Sequence, residues 1–139
     1  DLQSTRAVQS SRTSFVLVTI PSQVARGVVA RSIAALSKHP NRLIGYVENM
    51  SGYYCRDCNA IKPLFYSPMP SDLGIPCLGT VPFDPELARH CDSGIPLAEA
   101  PATPVLRALE NVAQQLLESL AASAHDSREL RRPGAEPSR

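Results

Sequence analysis

Tryptophan is absent from this 139-residue chain, aromatic residues make up 5% of it, and neither sign of charge dominates, the formal net charge being +1. No apolar run approaches the roughly 20 residues that a membrane-spanning helix requires, and the start shows no charged-then-apolar secretory pattern, so no membrane partner is expected. Lysine and arginine are scattered without a sustained basic face, which argues against nucleic acid as a partner. None of the seven glycines is followed by lysine. The clustered glycines and single ammonium with which a loop cradles phosphates are thus missing, and the chain alone is not expected to hydrolyse ATP. Four cysteines could make two disulfides in an oxidising compartment, but Cys55 and Cys58 stand too close to close a useful loop and the other two lack framework spacing, so a reducing, cytoplasmic location is expected.

What is present has the pattern of one α/β unit. Residues 1–13, rich in Ser, Gln and Arg, read as a flexible leader. The run Ser14–Ile20 is continuously apolar or β-branched and stops at Pro21, as expected of a strand buried on both faces. From Ser22 to Ser37 the residues Val24, Val28, Val29, Ile33, Ala34 and Leu36 fall at helical spacing opposite Arg26, Arg31 and Lys38. A second strand is expected over Arg42–Glu48 and a third over Ile75–Val81. Asp84, Pro85 and Glu86 have the chemistry of a helix start, leading into a short helix to about Cys91. Thr103 caps a longer amphipathic helix through Ala122, and residues 123–139 read as a disordered tail. The domain proper is therefore expected over 14–122, with parallel strands joined by helical crossovers.

The chemistry concentrates where the second strand ends. Asn49 stands at a strand's carboxyl end, the edge where α/β sheets bind ligands, and Cys55-x-x-Cys58 follows within one loop. Two thiolates at that spacing chelate one soft metal ion or one edge of an iron–sulfur cluster, yet either centre takes about four protein ligands. The missing pair could come from a second copy across a two-fold axis, or from Cys77 and Cys91. The resulting Cys-x2-Cys-x18-Cys-x13-Cys is too wide for a zinc ribbon, so Cys77 reads as a small core hydrophobe and Cys91 as a helix-end thiol. A thioredoxin-type redox pair ranks below the metal reading, because such a pair opens a helix directly after a strand. Asn49 could instead be a turn residue bonded to its own backbone, and Asp84 a helix cap alone.

The ordered segments Gly45–Ser51, Cys55-x-x-Cys58, Leu73–Gly79, Val81–Pro85 and Asp92–Pro96, with Val18–Gln23 upstream, resemble the carboxyl-terminal half of the Mrp family. These are MinD/ParA-like P-loop ATPases of the SIMIBI class that carry iron–sulfur clusters to apoproteins. The resemblance runs from about Ser14 to Leu120. It implies a partial parallel sheet flanked by helices, the second half of a P-loop NTPase fold. It further implies that Cys55 and Cys58 hold a [4Fe-4S] cluster between two subunits, with a homodimer or a family paralogue and apoprotein acceptors as partners. Asn49 would bond the adenine of ATP, and Val81, Pro82, Phe83 and Asp84 would complete the base pocket, largely through their backbone. The family's phosphate loop and Mg²⁺-binding aspartates have no counterpart here, so Mg²⁺ enters only with the amino-terminal half. The family's glycine-rich segment after the cysteines is replaced by a shortened Asn59–Ser71 stretch. The competing reading is a non-enzymatic module in which zinc bridges two chains.

Overall fold

The computed structural model describes residues 13–65 and 72–129; the leader over 1–12 and the end of the expected tail, 130–139, lie outside the described residues. Three parallel strands form the frame: β1 (Phe15–Thr19), β2 (Leu43–Cys55) and β4 (Cys77–Phe83), with β2 in the centre. Tyr46 fixes the order, being paired with Leu17 of β1 and with Cys77 of β4. A short β3 (Ala60–Lys62) runs antiparallel to the far end of β2. The sheet is therefore mixed rather than wholly parallel.

Local chemistry sets the helices. In α1 (Gln23–Leu36) the Ser22 hydroxyl accepts from the Ala25 N–H at 3.2 Å, satisfying one of the donors that a helix start leaves open. Asp84 does the same for α2 (Pro85–Asp92), taking the N–H groups of Glu86 at 2.9 Å and Leu87 at 3.4 Å, with Pro85 in the first turn. After a 3₁₀ turn over Leu97–Glu99, Thr103 accepts from the Leu106 N–H at 3.1 Å and starts α3 (Pro104–Glu129). This helix runs seven residues past Ala122, through the first part of the segment expected to be a tail.

The core lies where β2, β4, α2 and α3 meet. Tyr54, Val81, Leu87 and Val105 are buried together, with Val47, Leu109 and Val112 packed around them. Gly79 lets α3 come down onto β4: a Cβ there would sit 2.7 Å from Val112 Cγ2.

Three expectations are corrected. The second strand does not end at Glu48 but continues to Cys55. Pairing with β1 stops at Glu48, and the β2–β4 register slips between Asn49 and Tyr53, where Met50 takes a positive φ of 55°. This is a bulge that bends the strand without ending it. Cys77 is exposed rather than a core residue, because it opens β4, a strand hydrogen-bonded on one side only among the described residues. The run through β1 is not buried on both faces either: Val18 is 65% exposed, and in α1 Val24 and Val28 also face outward. Among the described residues no helix is long and apolar enough to cross a membrane.

Candidate functional site

The cysteine pair occupies a β-hairpin. Cys55 is the last residue of β2 and pairs with Ala60, and Arg56, Asp57, Cys58 and Asn59 form the turn between the strands. Gly52 permits the close approach of the two strands, since a Cβ there would lie 2.5 Å from Ile61 Cγ2 and 2.9 Å from the Lys62 carbonyl oxygen. Asn59 closes the turn in the left-handed region, φ 49°, which asparagine tolerates better than most residues. Its carboxamide oxygen accepts from the Tyr54 hydroxyl at 2.7 Å. Tyr54 is itself part of the core, so the base of the turn is anchored to the packed interior.

Cys58 is exposed and Cys55 half-buried, and both are free thiols. The Cys58 backbone N–H, followed by the Cys58 side chain, holds the Cys55 thiol below its ordinary range, favouring the thiolate that binds soft metals. No group of three or more His, Cys, Asp or Glu side chains is placed to hold a metal ion among the described residues. Cys77 and Cys91 are both exposed, Cys77 at the start of β4 and Cys91 in the last turn of α2. The chemistry on offer is thus two sulfur donors at a hairpin tip, half of what a tetrahedral or cuboidal centre takes.

The residues read as nucleotide contacts gather at the carboxyl ends of the parallel strands. Asn49 pairs with Val81, so Val81–Asp84 run alongside it. Asn49 is exposed at the rim of an apolar cleft of about 350 Å³ that it shares with Val18, Ile20 and Val28. Its carboxamide oxygen accepts from the Met50 N–H at 2.9 Å, the bond to neighbouring backbone that the turn reading anticipates. Val81 and Pro82 are buried and Phe83 is half-buried. Asp84 does more than cap: besides the two α2 amides, its carboxylate meets the Arg56 guanidinium at 3.2 Å.

Arg56, Tyr54 and Asn59 are neighbours of the cysteine pair that motif reading gave no role, and Glu86, read only as part of a helix start, joins them. The second guanidinium nitrogen of Arg56 pairs with Glu86 at 2.5 Å, and its carbon lies 6.0 Å from the centre of the Tyr54 ring. Burial works against the charge, but Asp84 and then Glu86 outweigh it and raise the Arg56 pKa. The one local hint is a charged residue between two cysteines. Its partners lie 28 and 30 positions away, beyond any periodicity.

Parallel strand ends gathered at one edge, with a helix starting beside them, are the ligand-binding arrangement of an open α/β domain. The chain belongs to the ParA family described as NUBPL iron-transfer P-loop NTPases, whose family model matches residues 1–117. It is similar to the cytosolic Fe-S cluster assembly factor NUBP2 of Bos taurus, 37% identical over 107 residues, or 73% of this chain and 40% of that protein. The Homo sapiens NUBP2 is 36% identical over 109 residues, covering 75% and 40%. The cytosolic Fe-S cluster assembly factor Nubp1 homolog of Drosophila pseudoobscura pseudoobscura is 30% identical over 110 residues, covering 75% and 35%. The chain thus spans about 40% of the length of the curated relatives it matches.

Proposed function

We propose that this chain is the cysteine-bearing part of a cytoplasmic iron–sulfur cluster assembly protein. Cys55 and Cys58 supply two thiolates to a [4Fe-4S] cluster, a second copy or a paralogue supplies the other two, and the cluster is cargo for apoprotein acceptors. The observation that carries this reading is a rigidly based hairpin tip presenting two free thiols, with no third ligand beside them among the described residues. Two pairs related by a two-fold axis supply four thiolates, the donor set such a centre takes.

On the same reading Asn49 and Val81–Asp84 form the base side of an ATP site. The Asn49 NH₂ can donate to an adenine edge while its oxygen stays with Met50. The Asp84 carboxylate is committed to α2 and Arg56, so this segment contributes backbone groups and the Phe83 ring. Phosphate and Mg²⁺ contacts would come from residues that this sequence does not contain, so hydrolysis belongs to the assembled protein.

Anaerobic reconstitution with iron and sulfide tests the proposal. The wild-type chain is expected to turn brown, to bind close to four irons per dimer and to run as a dimer, and Cys55→Ala to lose colour, iron and self-association together. Equal iron in Cys55→Ala would overturn the assignment of the pair. A colourless wild-type dimer holding one zinc would replace the cluster with the zinc-bridged reading.

A further inference from the structure

The cysteine turn is tied to the rest of the molecule at two places, and the second is not required by a hairpin. At the base, the Tyr54–Asn59 hydrogen bond ties the turn to the core. At the tip, the Arg56 side chain leaves the turn and reaches the start of α2, where it meets Asp84 and Glu86. Asp84 divides its two oxygens: Oδ1 accepts from the amides of Glu86 and Leu87, and Oδ2 faces Arg56. A single carboxylate therefore joins the turn between the cysteines to the first turn of α2, immediately after Val81–Phe83.

An isolated surface ion pair would carry little weight. Here the Asp84 side chain is 0% exposed and that of Arg56 is 34% exposed, so the pair is shielded on one side. The guanidinium engages two carboxylates at once through two different nitrogens held in one rigid plane, a fixed spacing that the single nitrogen of an ammonium lacks.

We propose that Arg56 is a positioning residue that couples the cysteine pair to the start of α2. A metal held by Cys55 and Cys58 then registers at the Glu86 and Leu87 amides, and order at that helix start registers at the sulfurs, because coupling between two sites is reciprocal. The metal half of this statement rests on the reading of Cys55 and Cys58 given above; the mechanical half does not.

Amide hydrogen exchange on the metal-free, reduced full chain tests the mechanical half. Arg56→Ala is expected to speed exchange in the 56–59 turn roughly tenfold, and Arg56→Lys to restore part of the protection. Asp84→Ser keeps a capping hydroxyl but removes the charge, and should loosen the same turn; combining it with Arg56→Ala should add little. Unchanged turn exchange in Arg56→Ala, or fully additive effects of the two substitutions, would overturn the clamp. For the metal half, Co²⁺ is titrated anaerobically while amide NMR signals are followed. In the wild type the Glu86 and Leu87 signals should move together with those of the turn, and in Arg56→Ala the turn should respond alone. Signals at Glu86 and Leu87 that stay still in the wild type, or move equally in Arg56→Ala, would overturn the coupling. If the wild-type chain takes up no Co²⁺, the metal assignment of the cysteines falls with the metal half, while the exchange comparison still decides the clamp.

Discussion

On one flank of β2 the cysteine hairpin, β4, α2 and α3 close around Val105, which is 2% exposed; on the other, β1 and α1 leave Val18 and Val24 65% and 82% exposed. Aliphatic side chains make up most of both flanks, so composition alone does not separate them. Neighbours do. Around the hairpin Tyr54 reaches the core and bonds Asn59, and Arg56 pairs with Asp84 and Glu86, although Ile61 of β3 stays exposed. Around β1 an edge strand adjoins an apolar cleft with Asn49 on its rim. Among the described residues β1, like β4, is paired on one side only, and apolar surface at such an edge favours a further covering element. The hairpin that carries the cysteines is therefore supported from within this chain, whereas the side bearing Asn49 is open.

The largest losses of stability are expected on the closed flank. Leu87 is 8% exposed and belongs to the core beneath the hairpin. Leu87→Ala is expected to cost about 3 kcal/mol, read as a lower urea midpoint with little change in slope. Gly52→Val should come next, at about 2 kcal/mol, because added carbons collide with Ile61 and with the Lys62 backbone, which cannot swing aside like a flexible side chain. Its more telling effect is local: β3 should detach and metal uptake by the cysteine pair should weaken, while the far-ultraviolet circular dichroism of the helices persists. A Gly52→Val chain that binds metal as tightly as wild type would show that the hairpin does not hold the sulfurs.

The parts legible in the sequence were those governed by near neighbours. Asp84 and Thr103 cap as their chemistry demands, and both longer helices form where an apolar period runs, although of the face read for α1 only Val29 is fully buried. The family pattern, spread over ordered motifs, was equally legible. The continuation of β2 was not, since a bulge at Met50 and a glycine pressed against another strand are set by tertiary packing. Nor was β3: Arg-Asp-Cys-Asn is no standard two-residue hairpin signal, and the three-residue strand that follows is too short to show alternation. Arg56 escaped for a related reason, because its meaning lies in carboxylates far along the chain. Cys77 and Val18 misled in the same way, since an apolar sequence context does not say whether a neighbouring strand is there to cover it.

The smallest expected effect sharpens the contrast most, because it separates apolar character from burial on one helix. Val24 and Val28 are 82% and 51% exposed in α1, whereas Val29 beside them is 7% exposed. Stability gained from an apolar side chain scales with the area it removes from water, and Val24 removes almost none. Val24→Ser and Val28→Ser should each leave the unfolding free energy within about 0.5 kcal/mol of wild type, with less aggregation on concentration. Val29→Ser, placing a hydroxyl against β1, should cost clearly more. Were Val24→Ser to destabilise the chain as strongly as Val29→Ser in urea titrations, that face would be covered in solution, and the open flank of β2 would be open only in the isolated chain.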